Sequence, residues 1–239
     1  MTGNSSNSNL EREMYFSYVP NKWKYIDSRY SCCKDKCVNT DRPNGYCIIG
    51  NGMLTLLIKK AGVNKLSKIM AANSFNNQRK KSELSRFCLN FTLFYYEIKL
   101  QIKKKSSTWI GIGLTTKKEV TISFWPTKNV FIFLSPIKKN YIKIPSFSFK
   151  NGDIIGCGFV YSPPEINNNK LPYIFFTQNG KQIGKAILLE EDYEYLQPII
   201  ELRRCSIETN FGDYPFVYQI SKHYVAEEFY KEEEFSEMK

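Results

Sequence analysis

The sequence predicts an all-β fold, a β-sandwich, with a short helix at its C-terminal end. Three observations predict it. Runs of apolar residues recur with period 2 and are separated by short turn signals. Seventeen Phe and sixteen Tyr favour sheet over helix bundle. A 3.6-residue period is missing until residue 221. The chain has 239 residues, 42% of them apolar, enough for one well-filled core. Thirteen Gly and ten Pro exclude collagen-like and low-complexity classes, and 24% charged with 15% aromatic residues excludes wholesale disorder.

In chain order, residues 1–14 are Asn/Ser-rich and are expected to be disordered. A sandwich domain is expected over 15–220, and an acidic helix or tail over 221–239. Asp41 to Gly45 reads as a turn. Cys47 to Ile49, the turn Gly50-Asn51-Gly52 and Met53 to Ile58 read as a hairpin. Residues 59–90 are polar and lysine-rich, with one weak strand or helix.

The alternation then becomes clear. In Thr92 to Ile102, Phe94, Tyr96, Ile98, Leu100 and Ile102 share one face, and Tyr95, Glu97, Lys99 and Gln101 the other. That is a half-buried strand. In Trp109 to Leu114, Gly111 and Gly113 lie opposite Ile110, Ile112 and Leu114, which lets a backbone or a bulky ring come close. Asp153 to Tyr161 has the same design. Tyr173 to Thr177, Asn179-Gly180 and Lys181 to Ile187 form a hairpin whose turn residues favour positive φ angles. Leu196 to Leu202 and Ser206 to Phe211 complete the strands. Val225 and Phe229, four residues apart, suggest the tail helix.

The net charge is +11. Residues 221–239 hold three lysines against six glutamates, net −3, which leaves +14 on residues 1–220. A basic body suits an anionic partner, although net charge does not specify one. The first thirty residues contain no apolar signal-peptide core, and the longest apolar runs are strand-length. A cytoplasmic or nuclear protein is therefore expected, with no membrane partner, as a monomer. Seven cysteines then stand as thiols. Four of them, Cys32, Cys33, Cys37 and Cys47, are clustered and leave three readings open: a zinc site, disulfides, or idle thiols.

Enzymatic chemistry finds little support. The single histidine, His223, reads as a surface residue of the tail. Asp153 and Glu97 read as a turn cap and a solvated strand residue. The Gly-x-Gly motifs lie in strands with no helix after them, so no phosphate cradle is indicated.

Together the strands resemble a SPRY domain of the Ran-binding-protein-M kind over residues 95–220. The matching segments are Y-Y-E-I-K-L at 95–100, W-I-G-I-G-L at 109–114, N-G-D-I-I-G-C-G at 151–158, I-F-F-T-Q-N-G-K-Q-I-G at 174–184, L-Q-P-I-I at 196–200 and I-E-T-N-F-G-D-Y-P-F at 207–216. The upstream stretch around C-V-N-T-D-R-P-N-G-Y-C is similar to divergent SPRY proteins abundant in nematodes. The resemblance implies a bent sandwich of two antiparallel sheets. It implies a protein or peptide ligand held by loops at one end, with no cofactor and no catalysis. The chain departs from the family at T-I-S-F-W-P-T-K-N-V-F-I-F-L, 121–134, and at E-L-R-R-C-S, 201–206, so the ligand class does not carry over.

The candidate ligand-binding residues are Trp125, Tyr161, Arg203 and Arg204. Trp125 precedes Pro126, and Tyr161 precedes Ser162-Pro163-Pro164. The two arginines lie between the last two strands. Aromatic anchors flanked by arginine are what binding hot spots are made of. The expected ligand is an acidic peptide segment. A nucleic-acid-binding sandwich, suggested by lysine pairs at the turns, is the disfavoured alternative. A secreted effector-like SPRY protein with disulfides at 32–47 is a further one.

Overall fold

The computed structural model describes residues 11–26, 46–50, 53–57, 66–76, 88–102, 108–161, 172–189, 193, 195–203 and 205–238. The strands β1 (Glu11–Phe16), β2 (Trp23–Ile26), β3 (Tyr46–Gly50), β4 (Met53–Leu57), β5 (Ser67–Ala71) and β6 (Phe75–Asn76) precede the long β7 (Cys88–Gln101). Next come β8 (Trp109–Thr115), β9 (Thr121–Trp125), β10 (Val130–Leu134), β11 (Lys139–Lys143) and β12 (Ile154–Tyr161). The hairpin of β13 (Tyr173–Gln178) and β14 (Lys181–Gln182) leads to β15 (Ala186–Leu188), β16 (Tyr195–Arg203) and β17 (Ser206–Asn210). The tail carries two 3-10 turns, Ile220–Lys222 and Glu232–Glu234, with β18 (Phe229–Tyr230) and β19 (Ser236–Glu237).

Two sheets form. The first runs β1-β7-β12-β13-β15-β18, with β17 beside β7 and β14 beside β13. The second runs β19-β11-β10-β9-β8-β16-β5-β2, with β6 beside β16. Pairing is antiparallel except at β1–β7 and β15–β18. The β3–β4 hairpin pairs as the sequence indicates. Asn179 and Gly180 both have positive φ, 49° and 81°, in the two-residue turn between Gln178 and Lys181.

The inner faces meet as the alternation predicts. Phe94, Tyr96, Ile98 and Leu100 of β7 pack against Ile110, Ile112 and Leu114 of β8 and Ile200 and Leu202 of β16. Tyr96 is fully buried, and its hydroxyl crosses the core. It donates toward the carbonyls of Gly113 (2.7 Å) and Ile199 (3.0 Å) and accepts the Gly113 N–H (3.1 Å). Trp23 of β2 makes a second link between the sheets, its indole N–H donating to Thr209 Oγ1 of β17 at 2.8 Å.

Three expectations are corrected. Residues 11–14 are ordered, as the start of β1 beside Cys88–Leu93. Among the described residues there is no α-helix, so the C-terminal helix is not formed. Val225, Ala226 and Phe229 instead pack as irregular chain and short strand on the outer face of the first sheet, against Tyr95, Tyr173 and Phe175. That tail explains the third correction: β7 is buried on both faces. Glu97 is only 5% exposed, its carboxylate accepting the Val217 N–H at 3.1 Å, and burial raises its pKa.

His223 is not solvated. It stacks on Phe175 with ring centroids 4.2 Å apart, and its ring nitrogens meet Tyr173 Oη at 3.0 Å and Tyr218 Oη at 2.6 Å. Burial lowers its pKa from 6.5 to about 4. Below pH 6.5 the unfolded chain takes up a proton that the native state refuses until about pH 4, so stability falls with pH across that window.

Two measurements check this packing. Tyr96→Phe removes the core hydroxyl shared by the Gly113 N–H and the Gly113 and Ile199 carbonyls, and urea unfolding is expected to lose about 1–3 kcal/mol. Between pH 7 and pH 5 the wild type is expected to lose about 2 kcal/mol through His223. His223→Gln flattens that slope, and equal slopes in both proteins would remove His223 as the cause.

Candidate functional site

The outer face of the second sheet is built by the residues that alternate with the core. Along β8, Ile110 and Ile112 point inward, so Trp109 and Gly111 point outward. Along β16, Glu201 and Arg203 alternate with Ile200 and Leu202. Arg203 pairs with Trp109, Gly111 with Glu201, and Glu201 with Lys68 of β5. Trp125, at the end of β9, lies over Gly111. A Cβ there would sit 3.0 Å from Trp125 Cδ1 and Nε1, so glycine makes the room for the indole. The close ring approach expected at the glycines is realised here, and again at Gly158, whose Cβ would fall 2.2 Å from the Phe175 ring.

The two indoles meet edge-on, centroids 4.6 Å apart. The Arg203 guanidinium lies 5.9 Å and the Lys128 ammonium 5.8 Å from the Trp109 ring centroid. Glu201 is 8% exposed. Burial raises its carboxyl above the ordinary value, with Lys68 and the neighbouring Trp109 N–H pulling the other way. Glu201 Oε2, Ser123 Oγ and the indole nitrogens of Trp109 and Trp125 are buried and close no hydrogen bond of good geometry. The face therefore combines stacking area with three cations, above a layer of buried polar atoms.

The candidate residues from sequence separate. Trp125 and Arg203 share this face, joined through Trp109. Tyr161 does not belong to it: it is 3% exposed in the core, packs on Phe94 and Phe159, and donates its hydroxyl to the Tyr193 carbonyl at 2.6 Å. The period-2 rule puts the last residue of β12 on the inner face, and the following prolines gave no signal of this. Arg204, Cys32, Cys33 and Cys37 lie outside the described residues, and of Cys47 only its place in β3 is described. Sequence reasoning missed Trp109, Glu201, Lys68 and Lys128. The signal for Trp109 was available, since W-I-G-I-G-L puts it on the glycine face.

Among the described residues no group of three His, Cys, Asp or Glu is placed to hold a metal ion. Cys157 and Cys205 are free, buried thiols. No helix among the described residues is long and apolar enough to cross a membrane.

No family model matches the chain. No curated protein matches it in sequence. In structure it is similar to a human SPRY domain, at 14% identity and a TM-score of 0.48, over 71% of this chain and 97% of that one. It is similar to the SPRY domain of human HERC1 at 14% identity and a TM-score of 0.42, over 71% of this chain and 94% of that one. The CBM2 module of the evolved Dit of Lactobacillus casei BL23 phage J-1 is a more distant likeness, at 10% identity and a TM-score of 0.38, over 72% of this chain and 82% of that one.

Proposed function

We propose that the protein is a non-enzymatic recognition module of the cytoplasm or nucleus that binds a short acidic peptide segment of a partner protein. The observation that carries this reading is the edge-on pair Trp109–Trp125 with Arg203 and Lys128 against Trp109. Paired indoles supply apolar anchor area with little conformational entropy to lose. A guanidinium beside them can fork onto a carboxylate. Catalysis gains no support from His223, whose two ring nitrogens are engaged by tyrosine hydroxyls in a buried site.

A selection from a displayed peptide library, followed by fluorescence anisotropy on the enriched peptides, tests the reading. Enrichment of Asp and Glu is expected. Trp125→Ala is expected to weaken binding by about 2 kcal/mol or more, roughly thirtyfold. Arg203→Glu abolishes binding, and its melting temperature is measured alongside because Arg203 is half-buried against Trp109. Affinity is expected to change less than about tenfold between 50 and 200 mM salt, against a loss of about a thousandfold or more for a phosphate-tracking surface. Selected peptides without acidic bias, or unimpaired binding by both variants, would refute the acidic-peptide reading. Tight RNA or DNA binding that collapses with salt would replace it with the nucleic-acid one.

A further inference from the structure

A second site lies away from the tryptophan face. The loop from Ile144 to Lys150 and the hairpin from Gln178 to Gly184 line an open cleft of about 750 Å³. That volume is in the range of small-molecule sites, about 300–1,000 Å³. Ile144, Phe147, Phe149 and Ile183 give it the apolar part of its lining. Lys150 comes from one wall and Lys181 from the other, and both side chains are exposed. Neither lysine is held in an ion pair among the described residues. Ser146 and Ser148 add hydroxyls to the wall that carries Lys150.

The walls are fixed in position by one carboxylate. Asp153 is 4% exposed and accepts the Lys150 N–H at 2.8 Å, Gln178 Nε2 at 2.9 Å and Asn179 Nδ2 at 3.0 Å. Gln178 Nε2 also donates to the Ser148 carbonyl at 2.9 Å, so loop and hairpin are tied twice. Burial pushes the Asp153 carboxyl up, but the hydrogen bonds from Asn179, the Lys150 N–H and Gln178, with the Lys150 charge, outweigh it and leave it below its ordinary 3.8. Asp153 is thus an ionised structural group already filled with donors. Ser146 holds a left-handed backbone, φ 57°, a conformation that costs a non-glycine residue about 1 kcal/mol or more and marks a preset loop.

The lining therefore draws one exposed lysine from each wall of a cleft of mixed polar and apolar surface, with hydroxyls on the Lys150 wall and no ion pair to either lysine among the described residues. Ammonium groups act as point charges on phosphate and suit a dianion reached from two sides. We infer that this cleft binds a phosphate monoester carried on a compact apolar body. The phosphate sits between Lys150 and Lys181, and the body lies against Ile183 and Phe147.

Amide-resolved NMR titration of the full chain with phenyl phosphate, inorganic phosphate and benzyl alcohol tests the site. Phenyl phosphate is expected to shift the amides of Lys150, Lys181, Gly180 and Gly184, with millimolar affinity or better. Inorganic phosphate binds at the same amides at least tenfold more weakly, and benzyl alcohol does not saturate. The double variant Lys150→Ala/Lys181→Ala, which removes exposed side chains only, loses at least tenfold in affinity with an unchanged melting temperature. Ile183→Ala weakens phenyl phosphate and leaves inorganic phosphate unchanged. Trp125→Ala leaves both unchanged, which separates this site from the peptide-binding face. Failure of phenyl phosphate to bind, equal binding by the double lysine variant, or shifts confined to other surfaces would each overturn the assignment. Equal affinity for phenyl phosphate and inorganic phosphate would overturn the apolar part of it.

Discussion

The Tyr96 hydroxyl is the point at which the two sheets are fastened. A sandwich held only by apolar contact can slide, because the hydrophobic effect has no direction. Tyr96 removes that freedom. Its ring belongs to the core layer of the first sheet, while its oxygen meets backbone groups of β8 and β16 in the second. These groups are buried at the paired positions Gly113 and Ile199, so one hydroxyl ties the register of β8 and β16 to the first sheet. Everything on the far side of β8 and β16 inherits that register: Gly111 opposite Glu201, Arg203 opposite Trp109, and the open lane into which Trp125 lies.

The tail completes the fold in a different way. It leaves β17 and crosses the outer face of the first sheet, where His223, Val225 and Phe229 cover Tyr95, Tyr173 and Phe175. It then reaches the second sheet, where β19 pairs with β11. One segment therefore covers a face and occupies an edge of each sheet, since β18 also closes on β15. Glu227, Glu228, Glu233, Glu234 and Glu237 stay on the outside, while Val225, Ala226 and Phe229 join the second cluster and Tyr230 and Phe235 pack with the first.

Much of this was legible in the sequence because it follows from local rules. Period-2 alternation located β7, β8, β12, β13, β16 and β17, and Asn179-Gly180 specified its own turn. The glycines of W-I-G-I-G-L announced a close approach on their face. The tail was misread because Val225 and Phe229 satisfy helical spacing equally well, and only the long-range match to Tyr95, Tyr173 and Phe175 decides between the two. Glu97 and His223 were misread for the same reason: each is buried by a partner remote in sequence, Glu97 by the chain at Val217 and His223 by Tyr173 and Phe175. Tyr161 looked like an anchor from its proline-rich neighbours, yet the alternation along β12 already assigned it inward. Trp125 and Arg203 were visible singly. That Trp109 joins them depends on the β8–β16 register, which one strand's sequence does not contain.

The two outer faces treat large aromatic side chains in opposite ways, and that contrast is the physical basis for a binding face. On the first sheet the chain supplies its own cover, and Tyr95, Tyr173 and Phe175 are almost wholly buried in a second hydrophobic cluster. On the second sheet Trp109 and Trp125 are half-buried, and among the described residues no such cluster forms around them. Indole area left in water recovers none of the roughly 25 cal/mol per Å² that burial would provide. Folding alone gains only from the buried half of the two tryptophans, and Gly111, whose missing side chain weakens β8, admits the Trp125 ring. Arg203 and Lys128 against Trp109 shield part of that area while keeping their charge at the surface. A ligand that covers the indoles and neutralises these cations gains on both counts at once, and the covering that the tail performs on one face falls to a partner on the other.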